Sequence, residues 1–92
     1  MSIQWLFDII EDRKKNPNEK SYTARLFAEG LPKIAQKVGE EGTEVVVAAL
    51  AQNDERLIQE AADLTYHTMV LLSARGISLS QVISELEKRH RE

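Results

Sequence analysis

Two acidic pairs constrain this chain more than any other feature. The first lies in KIAQKVGEEGTE, residues 33–44, where Glu40, Glu41 and Glu44 crowd into five positions. The second is EAAD, residues 60–63, with Glu60 and Asp63 at its ends. Glu41 and Glu44 are spaced i, i+3, as are Glu60 and Asp63, so on helices the members of each pair share a face. A fold that carries both pairs must either leave them in water or bring them against a compensating positive charge.

The surrounding pattern is helical. Ile3, Leu6, Phe7 and Ile10 recur at helical spacing and predict an amphipathic helix over about residues 2–14, with Trp5 at its edge or at a subunit contact. Asn16-Pro17-Asn18 marks a turn. Ser21 or Thr23 can cap a short helix that uses Leu26 and Phe27, with Gly30 beyond its end. Pro32 suits the first turn of the next helix, which carries Leu31, Ile34, Ala35, Val38, Val45 and Ala49 on one arc and runs to about Gln52. Gly39 and Gly42 interrupt it and suggest close approach by another helix or a ligand, or simply local weakness.

Asn53-Asp54 then makes a turn with a capping candidate, and a helix over about 55–74 follows. Its apolar residues occupy more than one face, which predicts a central helix buried on several sides. Gly76 ends it. Ser78-x-x-Gln81 offers a capping box for a last helix built on Val82, Ile83 and Leu86. No period-2 strand and no repeat is visible. The expectation is one all-α domain over residues 1–92: four main helices and a short one, in antiparallel hairpins that form a bundle. A chain of 92 residues buries only a modest core, so dimerisation would complete it.

The hairpin brings the acids together. An antiparallel pair turning near residue 53 sets Glu44 about level with Ala62 and Glu41 about level with Thr65. The two acidic pairs then meet at one height. Carboxylates gathered in a partly desolvated cleft repel one another or hold protons, and a divalent cation removes the conflict. Oxygen-only ligands suit a hard ion, Mg²⁺ or Mn²⁺, which recruits phosphates. Lys33 and Lys37 precede the acids on nearly the same stripe and could face such phosphates. Each feature also has a plainer reading. The acids could be a solvated helix face, and Lys37 could pair with Glu40 or Glu41. His67, four residues after Asp63, could be a packed core residue, as could Tyr66. Ser21 and Arg25 are candidates for substrate contact.

Composition narrows the classes. The absence of Cys excludes disulfides, thiolate metal sites and a Cys nucleophile, and suits a cytoplasmic protein. A net charge of −3 with 12 basic residues argues against bulk nucleic-acid binding. The start, MSIQWLFDIIEDRKK, has no basic leader, and Asp8 and Glu11 break its apolar run, so neither a signal peptide nor a membrane span is expected there.

SYTARLFAEG (21–30), KIAQKVGEEGTEVVVAA (33–49) and EAADLTYHTMVLL (60–72) together resemble the phosphoribosyl-ATP pyrophosphatase family, in order and spacing. The broader E-x-x-E with E-x-x-D pattern is similar to the MazG-type all-α nucleotide pyrophosphatases. The resemblance implies a helical dimer and Mg²⁺-dependent hydrolysis of phosphoribosyl-ATP to phosphoribosyl-AMP and pyrophosphate, the second step of histidine biosynthesis. It implies Glu41, Glu44, Glu60 and Asp63 as metal ligands, with Glu40 assisting or ligating. Catalytic work would fall to Glu40, Glu41 and Glu44. Lys33 and Lys37 would face the triphosphate, with Ser21 and Arg25 near the substrate. The chain looks like the stand-alone form, without the cyclohydrolase domain. Two other expectations remain: a house-cleaning nucleoside triphosphate pyrophosphatase, and a helical dimerisation module without chemistry.

Overall fold

In a computed structural model that describes residues 2–91, the chain forms five helices and, among the described residues, no strand. They are α1 (Ile3–Lys15), α2 (Tyr22–Glu29), α3 (Leu31–Ala51), α4 (Asp54–Ala74) and α5 (Leu79–Arg89). Each start has a local cause. Ser2 caps α1 by accepting from the Trp5 amide at 3.1 Å, and Ser21, rather than Thr23, caps α2 through the Ala24 amide at 3.2 Å. Asn53 caps α4 through the Arg56 amide at 2.9 Å, which draws Asp54 and Glu55 into the first turn, where acids complement the helix dipole. Ser78 and Gln81 close the expected capping box of α5.

Gly30 joins α2 to α3 with φ of 96° and ψ of 171°, a conformation that a side chain resists. It ends α2 and lets α3 begin one residue before Pro32. Gly76, at φ 72°, follows the Arg75 cap of α4 and closes the helix end, its amide donating to the Ser73 carbonyl at 3.0 Å.

The backbone of the fold is the antiparallel hairpin of α3 and α4, two helices of 21 residues each. The core sits at one end of it. Phe7 and Ile10 from α1, Leu26 from α2, Ile34 from α3, Met69 and Val70 from α4, and Leu79 from α5 form one buried cluster. All five helices therefore share the core at the end of the hairpin away from its turn. A polar clasp fixes α1 there: the Lys14 ammonium donates to the Ser73 carbonyl at 2.7 Å, and the buried Ser73 hydroxyl donates to Glu11 at 2.8 Å.

The turn end of the hairpin is different. Val46, Val47, Leu50 and Ile58 are exposed there, Leu50 at 83% and Ile58 at 69%. The expectation that α4 is buried on several sides therefore holds only from about Tyr66 onward. Its first turns have no other helix to pack on, because α1 and α2 cover only the opposite end. Ala35 and Ala49, expected on the core arc of α3, are exposed as well, and Ala48 is buried instead.

Gly39 and Gly42 do not mark a close helix approach within the chain. A Cβ at either position would meet nothing within 4 Å. Both lie inside α3 with helical backbone, so Gly39→Ala should stabilise the protein by about 0.5–1 kcal/mol through the helix-propensity difference. Ile10→Ala, at a fully buried position, should cost about 2–4 kcal/mol. Urea unfolding of the two variants checks both signs.

Candidate metal centre

The acids lie midway along the hairpin, between the shared core and the projecting turn. On α4, Arg56, Glu60, Asp63 and His67 follow at i, i+4, i+7 and i+11, a single stripe of the helix. On α3, Lys33, Lys37, Glu41 and Glu44 make the facing stripe. The antiparallel register sets these stripes against each other.

Glu41, Glu60 and Asp63 each present a carboxylate oxygen to a common point, the three oxygens within 4.8 Å of one another. Glu41 is 6% exposed and Glu60 5%, whereas Asp63 opens to solvent. Glu44 is also exposed, within hydrogen-bond reach of Glu60 and Glu41. The protons in this group are shared unequally. Burial, then the contact with Glu44, pushes the Glu41 carboxyl above its ordinary range. Contact with Glu44, then burial, does the same to Glu60. Contact with Glu60, then with Glu41, holds Glu44 below its ordinary range.

Two cations bracket the cluster. Arg56 Nη2 reaches Glu60 Oε1 at 2.7 Å from the turn side, and Lys37 Nζ lies 3.9 Å from Glu41 Oε1 on the other side. Arg56 hydrogen-bonds the Glu60 oxygen, whereas Lys37 stands at ion-pair distance from Glu41. Glu41 Oε2 and Glu60 Oε2 are buried and have no hydrogen-bond partner. A buried acceptor without a donor is costly. Two such atoms beside a third carboxylate are a donor set for a cation. The set is oxygen-only, which matches Mg²⁺ or Mn²⁺.

The other residues singled out in the sequence fall at different distances from this point. Glu40 is exposed on another face of α3, where Gln36 donates to it at 3.4 Å, so it is not part of the cluster. Lys33 is exposed one turn beyond Lys37. The Ser21 hydroxyl serves as the α2 cap. Arg25 donates to the Glu19 carbonyl at 3.1 Å, and its guanidinium carbon lies 5.9 Å from the centre of the Tyr22 ring.

Two features were not read from the sequence. Arg56 was legible in principle, since it precedes Glu60 by one turn. Tyr22 was not, because its partner is 45 residues away: its hydroxyl lies 3.1 Å from His67 Nε2. His67 Nδ1 is in turn 2.8 Å from the Asp63 carbonyl oxygen. The buried imidazole thus links α2 to the turn of α4 that carries Asp63. Tyr66 packs edge-on against His67, with centroids 5.0 Å apart, and its hydroxyl bonds Thr23.

The sequence pattern of the family described as phosphoribosyl-ATP pyrophosphohydrolase matches residues 4–90 of the chain. A phosphoribosyl-ATP pyrophosphatase of Pyrobaculum calidifontis is 52% identical, over 95% of this chain and 93% of its own length. One from Erythrobacter litoralis is 53% identical over 96% and 85%, and one from Clostridium botulinum 55% over 95% and 79%.

The carboxyl shifts set a pH dependence for metal-free protein. Glu41 and Glu60 hold protons more tightly when folded than the ordinary glutamate value of 4.5. Their contribution to stability is full below that value and is lost as pH rises through the folded values. Glu44 acts in the opposite sense, its contribution being lost as pH falls. Glu41→Gln removes one of the tight protons. With chelator present, its urea midpoint relative to the wild type should therefore improve progressively as pH rises above 4.5. A flat or declining difference contradicts this account of the cluster.

Proposed function

The chain belongs to the phosphoribosyl-ATP pyrophosphohydrolase family, and we propose that it hydrolyses phosphoribosyl-ATP to phosphoribosyl-AMP and pyrophosphate with Mg²⁺, in histidine biosynthesis. The observation that carries the metal part of this reading is the pair of partnerless buried oxygens on Glu41 and Glu60, two residues whose carboxylates gather with that of Asp63. The substrate follows from the names of relatives that match nearly the whole chain.

Glu41, Glu60 and Asp63 would hold the ion, and Glu44 at the lip could complete its shell. When bound, the metal neutralises phosphate charge and acidifies a water molecule. The protein residues do the rest. Contact with Glu60 and Glu41 holds the Glu44 carboxyl below its ordinary range, which suits it to take the proton of the attacking water. Glu40 lies outside the cluster. Lys37 and Lys33 extend the α3 stripe away from the acids, where they balance charge on the triphosphate. Arg56 occupies the other end.

A second copy of the chain would cover the apolar turn end of the hairpin. Val46, Val47, Leu50 and Ile58 form an exposed patch there, and a chain of this size has little core of its own. No helix among the described residues is long and apolar enough to cross a membrane. A cytoplasmic site of action belongs to the same reading.

Asp63→Asn and Glu41→Gln should each lower Mg²⁺-dependent pyrophosphate release from phosphoribosyl-ATP by about a hundredfold or more. Near wild-type rates in both, or a preference for ordinary nucleoside triphosphates, would contradict the reading. For the dimer, Leu50→Asp with Ile58→Asp should convert a sedimenting dimer to a monomer. A wild-type protein that is already monomeric at micromolar concentration overturns that part alone.

A further inference from the structure

We propose that Tyr22 binds the substrate through its phenolic oxygen as a hydrogen-bond acceptor, contacting a hydroxyl or amino group of the nucleotide, because His67 holds its proton. This rests on the proposed function and refines it by stating which part of the substrate Tyr22 reads.

The polarity follows from the chain of contacts. The Asp63 carbonyl can only accept, so His67 Nδ1, at 2.8 Å, carries the hydrogen. In the neutral imidazole Nε2 then has a lone pair and no hydrogen. The Tyr22 hydroxyl, 3.1 Å from Nε2, is therefore the donor. Its one proton is committed inward, and its oxygen keeps lone pairs for another partner. Such an oxygen accepts from sugar hydroxyls or amino groups. It has nothing to give an ionised phosphate.

The placement supports a ligand contact. His67 itself is 5% exposed, whereas Tyr22 is 43% exposed. His67 continues the α4 stripe one turn beyond Asp63, on the side away from Arg56. Lys37 and Lys33 extend from Glu41 in the same direction on α3. A ligand with its phosphates at the acids and along the lysines would bring its nucleoside part past this end. The Tyr22 ring is held there from two sides, by Tyr66 with centroids 6.3 Å apart and by Arg25. His67 is a positioning residue in this scheme, since it acts through Tyr22.

Calorimetric binding at mildly alkaline pH, with Mg²⁺ present, tests the polarity directly. Tyr22→Phe keeps the ring and removes the oxygen. It should weaken AMP binding by about tenfold, the worth of one hydrogen bond, and leave inorganic pyrophosphate binding unchanged. His67→Leu should weaken AMP binding to the same degree, and the double variant no further. His67→Gln, which restores an acceptor for the Tyr22 proton, should recover part of the loss. Equal weakening of pyrophosphate and AMP would show that Tyr22 donates to phosphate and overturns the proposal, as would unchanged AMP binding in Tyr22→Phe or losses that multiply in the double variant. These outcomes are separate from failure of the proposed function, which would show as absent Mg²⁺-dependent pyrophosphate release in the wild type.

Discussion

The structure depends on an electrostatic conflict that the protein leaves unresolved. Glu41 and Glu60 are buried at the centre of the α3–α4 hairpin; Arg56 bonds one Glu60 oxygen, Lys37 stands 3.9 Å from one Glu41 oxygen, and the second oxygen of each has no donor. Apolar residues at those two positions would make a quieter hairpin. Carboxylates there weaken the metal-free fold at neutral pH, since like charges at short range must hold protons or repel. An arrangement of this kind is expected at a binding site, where the ligand supplies what the fold omits.

The rest of the chain can be understood from that strain. A hairpin with repelling acids at its middle needs anchoring elsewhere. The anchor is the cluster at the far end, where α1, α2 and α5 contribute Phe7, Ile10, Leu26 and Leu79 against Ile34, Met69 and Val70. The Lys14–Ser73–Glu11 clasp adds a fixed polar contact to the same end. Burial is concentrated there, which leaves the turn end with its apolar residues uncovered. α2 has a double position. Its Leu26 side is core, and its first residue, Tyr22, reaches the imidazole that bonds back to the Asp63 turn.

Much of this was legible in the chain. Capping residues and glycines placed the helix ends because their chemistry is local: Ser21, Ser78-x-x-Gln81, Gly30 and Gly76 act within one turn. The pairing of Glu41 with Glu60 and Asp63 was legible because a short turn leaves an antiparallel hairpin little freedom of register. Other features depend on contacts that no local pattern encodes. The apolar stripe of α4 reads the same along its length, yet only the part covered by α1 and α2 is buried. Gly39 and Gly42 looked like points of close approach, but within this chain the space beside them is open. Glu40 sits next to Glu41 in sequence, and the 100° step of a helix turns it away from the cluster. The Tyr22–His67 contact joins residues 45 apart and could come only from the fold.

We propose that the unsatisfied oxygens of Glu41 and Glu60, with Asp63, form a divalent-cation site. Titration calorimetry of the wild-type protein with Mg²⁺ at mildly acidic pH, repeated in buffers of different ionisation enthalpy, tests it most directly. Saturable binding accompanied by release of protons is expected, because the ion competes with protons for the Glu41 and Glu60 carboxyls, whose affinity for protons is raised. Absence of saturable binding, or binding with no protons released, would contradict it.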